Sequence, residues 1–397
     1  MSIQNPAGFP SLKILLHISF FIVGIVTVLL GQILPILAVN LSLNDEQSGF
    51  LFTAQFGGSI IGTISTAFLI RRVGFVRSLG LAFILFFAGL SGINFGGLEI
   101  SRASVFIFGI GIGLAIPSTL MLTAALNPLK TTSALNLMSF VWGLGAIASQ
   151  PFVSFLGNGK FAFPTLLLAA LSILFAVVYL ILFRNFDVRE NNSASSPQDL
   201  SGSIWRNPKS WLIVAFGFCD VGIESGISGW LTSYTFRSDL PTAISWLSAT
   251  PIFFAFFVMG RGIAAVAARF LSNNQIIWAS LAITFLGTIL LIFSTGWQTI
   301  FFSAAILGLG LAAVFPTNMS RFTETFGAAA NEKTVPLFVM GSVGSITITW
   351  LIGYVSNQYS NSLKAGLGVL LGAAAILLIL QILFQTINKI KAGSNTF

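Results

Sequence analysis

Runs of about 20 apolar residues, each closed by a short polar or charged break, recur along the whole chain. At 1.5 Å of rise per residue, a helix of that length crosses the roughly 30 Å of hydrocarbon in a bilayer. Twelve spans are predicted, near residues 13–38, 48–70, 78–96, 103–126, 134–156, 162–183, 210–235, 243–267, 275–295, 299–320, 333–357 and 364–388. The longest polar stretch, 184–209, is rich in Asn, Ser and charge, lacks apolar periodicity, and separates six spans from six. It predicts an N-terminal six-helix bundle over 1–183, a cytoplasmic linker over 184–209 and a C-terminal six-helix bundle over 210–397.

The two halves are written alike. Gly109, Gly111 and Pro117 precede Gly308, Gly310 and Pro316 by 199 positions, and Gly145 precedes Gly344 by the same 199. Val23-Gly24-Ile25, Gly31 and Gly62 precede Val221-Gly222-Ile223, Gly229 and Gly260 by 198. One near-constant offset across four pairs of spans marks a repeat. Because the unit holds an even number of spans, both copies keep the same orientation, which implies an axis along the membrane normal and a solute site between the halves near the midplane. The expected fold is an all-α membrane protein with twelve transmembrane helices in two pseudo-symmetric six-helix bundles.

Composition agrees with a lipid environment. Charged residues are 8% of the 397, against roughly 25% in soluble domains, and 55% are hydrophobic. The 19 Lys and Arg outnumber the 11 acids, but their placement points to topology rather than to nucleic acid. With the N-terminus inside, 15 of them fall at cytoplasmic ends and four (Arg102, Lys160, Arg237 and Lys364) outside. That bias puts both termini in the cytoplasm of a multi-pass protein, expected in a bacterial-type inner (plasma) membrane. Residues 1–11 hold no short apolar stretch with a cleavage site, so the first span is expected to be retained. Cys219 is the single cysteine, which excludes an internal disulfide and a thiolate metal cluster. No catalytic triad, metal spacing or nucleotide loop is present, so neither an enzyme nor a cofactor is expected; the partners expected are a small-molecule solute, a proton or sodium ion and the bilayer, with the protein a monomer.

Asp220 and Glu224 stand one helical turn apart inside the seventh span. A carboxylate at membrane depth costs at least about 2.5–3.5 kcal/mol, so two of them mark a candidate proton or cation site. About 6 Å apart on one helix face, they titrate as a coupled unit. Arg261, near the cytoplasmic end of the eighth span, is a possible charge partner, the alternative being that it snorkels to the headgroups. His17 reads as an interfacial residue. Gln32, Gln55, Asn136, Gln150 and Asn318 offer paired donors and acceptors, and Trp142, Trp230 and Trp350 flat apolar faces. Amides with a stacking indole suit the hydroxyls and C–H face of a sugar; the same residues also tie helices together or sit at interfaces. The candidate solute contacts are Gln32, Gln55, Asn136, Trp142, Trp230 and Asn318. The glycine strings around 109–113, 143–145, 308–310 and 341–344 follow no strand and predict close helix packing, and Pro117 and Pro316 predict bends.

These residues resemble the major facilitator superfamily, and within it the fucose–galactose–glucose proton symporter group and its sodium–glucose-transporter-like relatives. The matching stretches are Leu135-Asn136-Leu137-Met138-Ser139-Phe140-Val141-Trp142-Gly143-Leu144-Gly145-Ala146, Val221-Gly222-Ile223-Glu224 with Gly229-Trp230, Met259-Gly260-Arg261, and Gly308-Leu309-Gly310 with Phe315-Pro316-Thr317. The resemblance implies the major facilitator fold and a central cavity, with Asn136 and Glu224 at positions where the group typically has those residue types. Two departures stand out. Arg71 occupies the place of the Asp in the superfamily's loop between spans two and three, and spans one and four lack the acids of fucose-type symporters. Coupling is therefore expected in span seven. The expected function is secondary transport of a small neutral polar solute, a sugar, by alternating access coupled to protons. The alternatives are proton-driven efflux of drugs or metabolites, sodium-coupled sugar import, and a non-transporting sensor or scaffold. Efflux fits less well, since span five carries Ser149-Gln150-Pro151-Phe152 where the efflux signature has Gly-Pro.

Overall fold

The computed structural model describes residues 9–183, 186, 206–244, 246–326 and 335–394. Among them, twelve helical spans are long and apolar enough to cross a membrane. The first six are α1 (Phe9–Asn40), α2 (Asp45–Val73), α3 (Phe75–Gly92), α4 (Leu98–Leu126), α5 (Thr131–Gly157) and α6 (Ala162–Val177), the last extended by a π-helical turn at Val178–Leu182. The second six use seven helices: α7 (Pro208–Phe236), α8 (Thr250–Ala267), α9 (Asn273–Ile292), α10 (Trp297–Leu311), α11 (Val314–Phe326), α12 (Val335–Gln358) and α13 (Leu363–Ser394).

Several helices run a turn beyond the apolar stretches that announce them, because polar caps start them. Asn44 and Ser272 form capping boxes with Gln47 and Gln275, and Asn207 caps α7 ahead of Pro208. Gly74 alone joins α2 to α3, at a φ of 85° that favours glycine. Beside it Arg71 and Arg72 are exposed, with Arg72 stacked 4.5 Å above the Phe68 ring.

The chain divides into two compact units, Met1–Ala194 with Leu240–Pro251, and Ser195–Asp239 with Ile252–Phe397. Most of the 184–209 linker lies outside the described residues. The segment Leu240–Pro251, which a division at that linker assigns to the C-terminal half, packs with the first unit: the Trp246 carbonyl accepts from Gln150 Nε2 at 2.6 Å, and its ring lies 4.8 Å from Phe155.

Within each unit the repeated glycines sit where two helices touch. Lipid supplies no hydrophobic drive between helices, so contact depends on close packing of small residues. In the first unit α1 packs on α5 and α2 on α4. Gly24 abuts the backbone of Trp142 and Gly145, and Gly109 abuts the Gln55 carbonyl. In the second unit the counterparts do the same: Gly222 abuts Gly344 across the α7–α12 contact, and Gly308 abuts the Phe253 carbonyl. The offset read along the sequence is thus a repeated set of helix crossings.

The two prolines behave differently. Pro316 lacks the N–H that would bond the Ala312 carbonyl, and the tenth span breaks at Ala312–Ala313, separating α10 from α11. Pro117, its repeat partner, lies inside an uninterrupted α4.

Candidate functional site

The α7 helix divides its work between two faces. One carries Gly222, Ser225 and Gly226 against α12, where the Ser225 and Ser345 hydroxyls meet at 2.7 Å. The other carries Ile213, Gly217, Asp220 and Glu224 at helical spacing. On that face Asn318 of α11 donates from Nδ2 to the Ile213 carbonyl at 3.0 Å, beside Gly217, where an added Cβ would meet that amide at 3.9 Å. The acid pair continues the same stripe.

Asp220 is 2% exposed, and its Oδ2 has no hydrogen-bond partner. Glu224 is half-buried. Arg261 of α8 interacts electrostatically with both carboxylates. Among the described residues neither acid makes an ion pair within 4.0 Å. The guanidinium instead lies 4.4 Å over the Phe257 ring, with Nε unpartnered. Two carboxylates facing one guanidinium leave one negative charge when all three are ionised. One proton or one monovalent cation neutralises the set.

The expected solute contacts separate into two groups. In the first unit, Gln55 of α2 donates from Nε2 to the Thr27 carbonyl at 2.8 Å, and its Oε1 is unpartnered. Trp142 of α5 reaches the Thr27 hydroxyl at 3.5 Å. Thr27 of α1 therefore joins three helices in one polar cluster, a role its ordinary place mid-span did not signal. Gln32, five residues further along α1, is buried and donates to the Val28 carbonyl at 3.2 Å. Asn136 is exposed near the start of α5 and stands apart from this cluster.

In the second unit, two expected contacts are bonded to neighbouring helices. Trp230 is fully buried and its indole N–H donates to the Thr349 carbonyl at 2.9 Å, so it anchors α7 to α12 and offers no free face. Asn318 is 2% exposed and ties α11 to α7. His17 Nδ1 meets the Lys13 carbonyl within α1, at 2.6 Å. The sequence reading also missed Arg321, counted only as a topology marker; it is buried and held by two amides, donating to Gln381 at 2.8 Å and to Asn274 at 2.7 Å.

Twelve spans in two glycine-packed units, with an acid pair held inside the membrane, define a solute transporter and not an enzyme. Residues 16–335 match the Major Facilitator Superfamily, and the chain belongs to that family. It is similar to the glucose/mannose transporter GlcP of Bacillus subtilis, with 22% identity over 358 residues that cover 88% of each chain. It is also similar to the human sodium-dependent glucose transporter 1, with 22% identity over 416 residues, covering 94% of this chain and 78% of the relative. Among solved structures, a D-xylose-proton symporter shares the fold at a TM-score of 0.71 and 15% identity, over 92% of this chain and 96% of that one.

Proposed function

We propose that the protein is a secondary active transporter that imports a small neutral polar solute, a hexose or related sugar, by alternating access coupled to protons through Glu224 and Asp220. One observation carries this: a buried carboxylate oxygen without a partner on Asp220, one turn from a half-buried Glu224, with Arg261 in electrostatic reach of both but in contact with neither. A structural ion pair would close those contacts, since an unpaired buried charge is costly. A site that loads and releases a proton keeps them open. The single negative charge of the three groups favours one proton per cycle.

The solute class is supported by the relatives, which are named as glucose or glucose/mannose transporters, and by chemistry in the first unit. Gln55 and Trp142 meet at Thr27, with Gln55 Oε1 buried and unpartnered, and an amide with an indole is the combination a ring of hydroxyls and C–H groups calls for. Gln32 on α1 and, away from this cluster, the exposed Asn136 are the further proposed contacts. The positive-residue bias supports cytoplasmic termini, in a plasma membrane of the bacterial inner-membrane type, and the protein acts as a monomer.

A second reading takes sodium in place of the proton, favoured by the sodium-dependent relative and by an oxygen pair that suits either ion. Uptake of a labelled sugar panel into proteoliposomes tests both. Glucose or mannose uptake that follows an imposed pH gradient and ignores replacement of sodium supports proton coupling. Uptake that follows sodium at constant pH supports the second reading, and no uptake of any sugar defeats the solute assignment.

A further inference from the structure

At the end of the second unit where α8 and α11 finish and α9 begins, a cavity of about 580 Å³ is lined by Ser272, Asn273, Asn274, Ser320, Arg321 and Glu324. Arg321 is 4% exposed, its guanidinium 4.9 Å from the Phe384 ring. Its two hydrogen bonds go to neutral amides, Gln381 and Asn274. A guanidinium has five N–H donors, so three remain, Nε among them. Among the described residues no carboxylate lies within 4.0 Å of it. Glu324 is exposed at the rim and accepts from Asn273 Nδ2 at 2.6 Å and Ser320 Oγ at 3.1 Å. Glu324 acts on Arg321 only electrostatically, from the exposed rim, so the buried cation is hydrogen-bonded to neutral amides alone and keeps donors for an anion.

The same wall holds the N-terminus of α9, a helix of 20 residues. Ser272 caps it by accepting from the Gln275 N–H, which leaves the first backbone N–H groups, of Asn273 and Asn274, without a partner among the described residues. Those donors and the positive end of the helix dipole favour anions. A tetrahedral oxyanion has acceptors enough for the guanidinium and the backbone amides together.

We infer that this cavity binds a phosphate group, carried either by a soluble phosphate ester or by a phospholipid headgroup. Its occupant bridges α9 to α11, the segment that the break at Ala312–Ala313 separates from α10. Clamping α11 restrains a helix that Asn318 ties to α7 beneath the acid pair, so the bound anion slows transport. The site stands independently of the identity of the coupling ion.

Thermal unfolding of the purified full chain tests this with inorganic phosphate and glucose 6-phosphate in detergent, against glucose and chloride at matched ionic strength. A parallel arm compares bilayer discs of phosphatidylglycerol with discs of phosphatidylcholine. The decisive variant is Asn274→Asp, which keeps the side chain's shape and sets a carboxylate against Arg321. The expected result is a dose-dependent rise in unfolding temperature with phosphate compounds or with the anionic lipid, identifying the source. N274D should unfold at a higher temperature than wild type without ligand and lose at least about tenfold in apparent affinity, or about 1.4 kcal/mol. Wild type indifferent to every phosphate probe and to both lipids overturns the site. So does N274D that folds and responds as wild type does.

Discussion

Gly344→Ala is the sharpest test of how the acid pair is held. A Cβ on Gly344 would stand 2.7 Å from the Phe218 carbonyl carbon and 3.0 Å from its Cα, with the carbonyl oxygen nearer still. Ordinary contact begins at 3.4 Å, so α7 must retreat by at least 0.7 Å (3.4 − 2.7). Neither partner yields easily, since both are helix backbone. Overpacking of this kind costs about 1–3 kcal/mol. Phe218 lies two residues from Asp220, so the shift displaces the carboxylates as well. Cys219, the one thiol and only 4% exposed, reports the opening directly through its labelling rate. Where labelling follows the open population, that cost predicts labelling roughly 5- to 150-fold faster, together with loss of transport. Gly372→Ala is the control, because nothing lies within 4 Å of its added Cβ. Equal labelling rates in G344A and G372A would refute the claim that this glycine contact seats α7.

Trp230→Phe should lower stability by about 1 kcal/mol through loss of the bond to the Thr349 carbonyl and leave the solute KM unchanged; a raised KM at unchanged stability would return Trp230 to the solute contacts. Thr27→Val removes the hydroxyl that Trp142 reaches at 3.5 Å while sparing the backbone carbonyl that Gln55 uses. A rise in KM of about 2- to 10-fold is expected in sugar uptake, and an unchanged KM would place the solute elsewhere.

The architecture was legible because membrane spans and packing glycines are one-dimensional signals. Length and apolarity mark a span, and a constant offset marks a repeat; Gly109 and Gly308 then meet equivalent carbonyls, at Gln55 and Phe253. Asp220, Glu224 and Arg261 were legible as a group because intramembrane charges are rare enough to be noticed. Amides were not. Whether Asn318 or Gln55 faces a solute or a neighbour's carbonyl depends on helix rotation, which uniformly apolar surroundings do not encode. Trp230 is an example: its indole donor meets a backbone acceptor one helix away. Arg321 was hidden by the charge bias that explains most cytoplasmic arginines. Only the structure shows it buried beside a cavity, where the sequence placed it simply at a cytoplasmic end. Pro117 and Pro316 carry the same sequence signal, yet only the second coincides with a break.

The proposed coupling is tested most directly by Glu224→Gln in proteoliposomes, comparing sugar counterflow with accumulation driven by a pH gradient. With one proton per cycle, each unit of pH difference supports up to about tenfold accumulation in the wild type. E224Q should retain counterflow while its accumulation ratio falls to one, because the glutamine keeps the side chain's shape but carries no exchangeable charge. Accumulation by E224Q at the wild-type ratio would contradict the account.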